Sequence, residues 1–254
     1  MKDITYRHQY IRDQLEQKGM IRVHEVAAKM GVTGATIRRD LRILESQHAL
    51  QRGYGSAVPL KAKATDPPLS DKYSVRASEK TRIGRAAAAL LEENDSILIT
   101  SGSTIEAFVR ALGANGSHNV VTASTRLAEL LLEKNGFSVY MLGGSVVKDS
   151  HSVRDSVAIQ TLKHMRCNKL FFSCDGLDLN GGVTSAYLAE SQLNIAMMEA
   201  ATVRILLADS SKIGKVGFGK TCDLSEIQVL VTDDGISRKM REEFDRLGVK
   251  VITA

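Results

Sequence analysis

"VTGATIRRDLRILE", residues 32–45, decides the fold of the first quarter of the chain. On a helical wheel of about 100° per residue, Ile37, Leu41 and Leu44 fall in one narrow arc, the pattern of a buried stripe. Arg38, Arg39 and Arg42 point the other way with Ala35 among them, and Asp40 lies at the edge of the apolar face. Thr33 is placed to cap this helix, its hydroxyl accepting from an orphan amide of the first turn. The positive end of the helix dipole and the arginines then act together, which suits phosphates and the acceptor edges of guanine.

A lone basic helix is ordinarily just a solvated face, so the neighbouring segments decide the matter. Upstream, residues 7–18 carry Ile11 and Leu15 at helical spacing and stop at Gly19. A second short helix, about residues 24–30, buries Val26, Ala27 and Met30 and stops at Gly31. Helix, short turn, basic helix is the helix-turn-helix order, in which the last helix enters the major groove. Downstream, "ALQRGYGSAV" (49–58) sets Gly53 and Gly55 around Tyr54, a small hairpin with Arg52 near its tip. Such a β-wing lays a cation against the DNA backbone. The expectation is a winged helix-turn-helix over residues 1–58, mostly α, with Thr33, Thr36, Arg38, Arg39, Arg42 and Arg52 as candidate DNA contacts.

The charge distribution agrees. Residues 1–63 hold twelve Lys or Arg against six Asp or Glu, a net of +6, so the remainder of a chain of net +5 sums to −1. A basic module attached to a neutral domain is the footprint of a nucleic-acid binder. All three prolines, Pro59, Pro67 and Pro68, fall within "PLKAKATDPPLS" (59–70), so residues 59–73 are expected to be an extended linker. No apolar run reaches membrane-spanning length and the first residues lack a signal-peptide centre, so a cytoplasmic location with no membrane partner is expected. Cys167, Cys174 and Cys222 show no metal-ligand spacing and are expected to be reduced, mostly buried thiols, with no cofactor.

From residue 74 to 254 short β-rich runs alternate with helical stretches: "SILIT" (96–100), "NVVTAS" (119–124), "FSVYMLG" (137–143), "KLFFSC" (169–174), "VRILLAD" (203–209), "IQVLVTD" (227–233) and "VKVITA" (249–254). This predicts an α/β domain with a largely parallel sheet, and ligands of such sheets sit beyond the C-terminal strand ends. The first such loop, Ser101, Gly102, Ser103 and Thr104, offers hydroxyls and backbone amides at a helix start, which suits a phosphate. "GGS" (143–145), "CDGLDLNGG" (174–182) and "ADSSKIG" (208–214) repeat the theme. Together they suggest a polyol phosphate, its phosphate on Ser101, Gly102, Ser103, Thr104 and Lys212 and its hydroxyls on Asp175 and Asp209.

At this point the sequence resembles the DeoR family of bacterial transcriptional regulators over nearly its whole length. "TIRRDLRILE" with the following wing resembles that family's N-terminal signature, and "VRASEKTRIGRAAAALL", "SGST", "VVTAS", "LGG" and "ADSSKIG" follow the order of its sensor-domain motifs. The resemblance implies a sensor similar in fold to pentose-phosphate isomerases that binds a phosphorylated sugar or related metabolite. It also implies a repressor of a carbohydrate catabolic operon, relieved by that metabolite. Arg154 stands where the family often has a Gly.

Two other classes compete. An isomerase with a DNA-binding appendage is suggested by "DGLDLNGG", whose Asp175 and Asp178 resemble catalytic carboxylates. Asn180 stands nearest to the Lys of the isomerase loop and supplies no cation for an enediolate, which disfavours an enzyme. An architectural DNA binder leaves the second domain without a purpose. Because one winged helix covers little DNA, a homodimer or homotetramer is expected on operator DNA, its contacts carried by the larger domain.

Overall fold

The computed structural model describes residues 3–18, 20–46, 50–53, 55–59, 69–113 and 116–254. The chain divides into two compact units, Met1–Asp66 and Pro67–Ala254.

The first unit runs α1 (Ile4–Lys18), β1 (Ile21–Arg22), α2 (Val23–Met30), α3 (Gly34–Ser46), β2 (Leu50–Gly53) and β3 (Ser56–Pro59). Gly31 ends α2 in the left-handed conformation, φ +65°. Its N–H donates to Ala28 and that of Val32 to Ala27, the paired closure that turns the chain into α3. Ile11, Leu15, Val26, Met30, Ile37, Leu41 and Leu44 meet in one core. The wing forms, with Gly53 paired to Ser56 and Leu50 to Pro59. A third strand, β1, joins it on the far side of β3. Two residues are too short to give a period, so β1 left no pattern in the sequence.

The second unit contains α4 (Leu69–Ser74), α5 (Ala77–Ala88), β4 (Ser96–Ile99), α6 (Ser103–Ala111), β5 (His118–Thr122), α7 (Thr125–Leu132) and β6 (Phe137–Met141). A hairpin of β7 (Val146–Val147) and β8 (Ser152–Val153) leads to α8 (Ser156–Leu162) and β9 (Cys167–Phe172). There follow β10 (Gly176–Asp178), β11 (Gly182–Ser185), α9 (Leu188–Glu199), β12 (Ala201–Leu207), β13 (Gly219–Cys222), β14 (Val229–Thr232), α10 (Arg238–Arg246) and β15 (Lys250–Thr253). All seven expected strands pair in parallel in the order β15-β14-β12-β9-β4-β5-β6.

The central strands read as unbroken apolar runs because both faces are covered. Leu98, Leu170, Leu206 and Leu230 pack into one core, while Ile97, Ile99, Phe171, Ile205 and Val231 pack into the other. In this second core the rings of Phe108 and Phe171 stack with centroids 4.3 Å apart. Strand order reverses between β4 and β9, which opens the crevice where open α/β sheets bind ligands.

The expected linker differs at its far end. Residues 60–68, with Pro67 and Pro68, lie outside the described residues, but Leu69–Ser74 is helix within the second unit. That helix has too few residues for a period to register and is held by side chains far along the chain. Two further features had no clear pattern: the β7–β8 hairpin and a sheet of β10, β11 and β13. Among the described residues, no helix is long and apolar enough to cross a membrane.

Candidate functional site

In the first unit, the Thr33 hydroxyl accepts from the Thr36 amide at 3.2 Å and lies 3.0 Å from the Thr36 hydroxyl, capping α3. Arg38, Arg39 and Arg42 are exposed on one face of α3 and Ile37, Leu41 and Leu44 are buried on the other. Arg52 lies on β2 with its backbone paired to Ala57; its side chain falls outside the described residues. Asp40 is no edge residue. It is 1% exposed and takes two bonds from Arg7 of α1, Nε to Oδ2 at 2.7 Å and Nη2 to Oδ1 at 3.1 Å.

In the second unit, the ends of β4, β9 and β12 are adjacent and carry most of the predicted ligand residues. The Ser173 amide donates to the Thr100 hydroxyl at 3.3 Å and the Ser173 hydroxyl to the Ser101 carbonyl at 3.2 Å. Gly102 has φ +131°, and a Cβ there would stand 2.8 Å from the Ser173 Oγ, so only glycine fits this turn. Ser103 and Thr104 open α6 and are mostly buried.

Asp175 accepts from Lys72 Nζ at 2.9 Å and from the Ala186 amide at 2.8 Å. Burial raises its carboxyl, but Lys72, that amide and the nearby charge of Lys212 outweigh it, leaving Asp175 below the usual carboxylate range. Asp209 is 2% exposed, and its Oδ1 accepts from Ser211 at 3.0 Å, capping the turn that carries Lys212. Arg76 stands over that turn, with Nη1 2.8 Å from the Ser210 hydroxyl and 3.8 Å from Asp209, and Nη2 3.6 Å from Asp233.

Lys80 is buried and donates to the carbonyls of Lys72 and Val75. Its amine is held below the usual lysine range by burial, which Asp209 counters and the charges of Lys212 and Lys72 reinforce. Three lysines and two aspartates thus influence one another at the reversal point of the sheet. Lys72, Arg76 and Lys80 carried no assigned role in the sequence. The only signal was the motif "VRASEKTRIGRAAAALL" (75–91), which holds two of them.

Two other loops are occupied by the fold itself. In "GGS" (143–145), the Ser145 amide donates to Asp155 Oδ2 at 2.6 Å, which ties this loop to the start of α8. Asp178 Oδ1 accepts from Asn180 and Gly181 at 3.0 and 2.8 Å within its own hairpin. Cys167, Cys174 and Cys222 are free and buried, and burial pushes the Cys222 thiol up to about 12.

The sequence matches the DeoR C terminal sensor domain over residues 75–234 and the DeoR-like helix-turn-helix domain over residues 7–63. The chain belongs to the DeoR family. Among relatives of this DeoR protein, the putative aga operon transcriptional repressor of Escherichia coli O157:H7 is 30% identical over 248 residues, covering 97% of this chain and 92% of that one. The lactose phosphotransferase system repressor of Streptococcus mutans serotype c is 32% identical, covering 86% and 88%. Ribose 5 phosphate isomerase A from Neisseria gonorrhoeae is similar in fold over 53% of this DeoR chain and 52% of its own, at 22% identity and a TM-score of 0.37.

Proposed function

We propose that this protein is a sequence-specific, DNA-binding repressor of a carbohydrate operon, acting in the cytoplasm as a homodimer or homotetramer, whose operator binding is relieved by a phosphorylated sugar or related metabolite. The phosphate sits on Ser101, Gly102, Ser103 and Thr104 with Lys212. Asp175 takes hydroxyls, and Asp209 holds the Lys212 turn beside them. The DNA face is Arg38, Arg39 and Arg42, with Thr33 and Thr36 at the helix start and Arg52 on the wing.

The convergence of Lys72, Lys80 and Lys212 on Asp175 and Asp209 at the sheet's reversal point carries the effector half of this reading. Ammonium groups beside helix-start amides suit a phosphate dianion. The names of the aga operon and lactose phosphotransferase system repressors point to carbohydrate operons. The protein works by binding rather than turnover. Asp178, one of the carboxylates an isomerase would need, is engaged by a hairpin turn, and Asn180 supplies no cation for an enediolate.

Operator binding measured by anisotropy, with and without a panel of sugar phosphates, tests the reading. Lys212→Ala and Ser103→Ala are expected to bind operator like the parent yet lose the metabolite response. A parental response in both variants places the ligand elsewhere, and conversion of ribose 5-phosphate to ribulose 5-phosphate would revive the isomerase.

A further inference from the structure

Arg154, between β8 and α8, is a guanidinium removed from water without enough partners. Its side chain is 10% exposed, its Nη2 lies 3.5 Å from Glu190 Oε2, and its Nε is buried with no hydrogen-bond partner among the described residues. Buried donors are satisfied in nearly all cases, and an unspent one on a charged group is costly. The group is nevertheless held firmly. Its Cζ sits 4.9 Å from the centroid of the Tyr187 ring. The next residue, Asp155, caps α8 through the amides of Val157 and Ala158 and fixes the Ser145 amide.

The location matters equally. The Val153 amide donates to the Ala123 carbonyl at 2.9 Å, which holds β8 beyond the C-terminal end of β5. Tyr187 directly follows Ala186, whose amide is bonded to Asp175. One short segment, residues 186–187, therefore carries both a contact to the candidate ligand carboxylate and the ring beneath Arg154.

We propose that Arg154, positioned by Tyr187, is a second anchor of the effector site, donating to neutral hydroxyl or carbonyl oxygens at the non-phosphate end of the sugar and so setting which sugar phosphate is read. Glu190 beside the guanidinium leaves the local charge near neutral, which suits polyol oxygens better than a second phosphate. This inference rests on the effector reading above.

Calorimetric titration of the full-length protein tests it, with inorganic phosphate, glycerol 3-phosphate, ribose 5-phosphate, fructose 6-phosphate and glucose 6-phosphate as probes. The parent is expected to bind one sugar phosphate at least about tenfold more tightly than inorganic phosphate. Arg154→Gln loses that margin while inorganic phosphate binding stays within about twofold, as expected for a charge-assisted hydrogen bond to the sugar alone. Tyr187→Ala loses part of the margin and Tyr187→Phe keeps it. An unchanged margin in both Arg154→Gln and Tyr187→Ala overturns the anchor, as does equal loss of phosphate and sugar phosphate. A parent that binds phosphate and every sugar phosphate alike also overturns the anchor and leaves the phosphate half standing. A parent that binds none of the probes overturns the effector reading and the anchor with it.

Discussion

Arg7 of α1 grips Asp40 of α3 with two parallel bonds of 2.7 and 3.1 Å, at 8% and 1% exposure. The residue after Arg39 is thus the one that fixes how far and at what angle α3 stands from α1. Removing one partner strands a buried charge, which typically costs about 3–5 kcal/mol. Arg7→Ala and Asp40→Ala should each abolish operator binding by unfolding the first unit, visible as an earlier, separate loss of helical ellipticity on heating. The pair Arg7→Met with Asp40→Leu should recover much of that stability, because an apolar pair carries no desolvation cost. Melting of the single variants at the parental temperature would show that the ion pair is dispensable.

The three exposed arginines of α3 should separate by salt dependence. Alanine at an arginine that reads a guanine costs about 1–3 kcal/mol and relaxes one operator position, whereas alanine at a phosphate contact weakens all sequences alike and reduces the salt slope by about 1. Anisotropy titrations of Arg38→Ala, Arg39→Ala and Arg42→Ala at several salt concentrations sort them. If all three retain parental affinity and slope, α3 is not the reading helix.

Glu106 is expected to confer pH-dependent stability on the second unit. It is 3% exposed and accepts from the Tyr73 hydroxyl, from Arg110 at 2.6 and 2.9 Å, and from Arg126 at 2.6 and 3.1 Å. Burial raises its carboxyl, but Arg126, Tyr73 and Arg110 outweigh that and hold it below the usual range. A carboxyl lowered on folding stabilises above its unfolded value, about 4, and loses that contribution as pH falls through the folded value. Glu106→Gln should therefore lower stability at pH 7 by about 1–3 kcal/mol, with the gap to the parent closing below about pH 4. Thermal melts from pH 3 to 7 check this, and a gap independent of pH would assign the loss to packing.

The sheet was legible because its strands are buried on both faces, and runs such as "KLFFSC" need no knowledge of their neighbours. The helix-turn-helix was legible for a similar reason, since Ile37, Leu41 and Leu44 state their period within eight residues. Single cations are different. Lys72 meets Asp175 across 103 residues and Arg76 meets Ser210 across 134, and nothing local distinguishes either from a solvated surface charge. Asp40 shows the limit on a helical wheel, which places a carboxylate at the margin without revealing the guanidinium on another helix that covers it. Asp178 shows the converse, since a residue type that suits ligand chemistry also suits tight turns.

The bond between Lys72 and Asp175 means that this carboxylate has a resident partner. On the proposed reading, a ligand hydroxyl arriving there takes part in an exchange, and the affinity it gains is the difference between two occupants rather than the worth of one contact. The displaced ammonium belongs to a helix of six residues, far below the length at which a helix sustains itself in water. That helix keeps its form because Lys72 reaches Asp175 beyond β9, Tyr73 reaches Glu106 of α6, and Lys80 of α5 binds the Lys72 carbonyl. Untying one contact leaves two, on the segment at the far end of the expected linker.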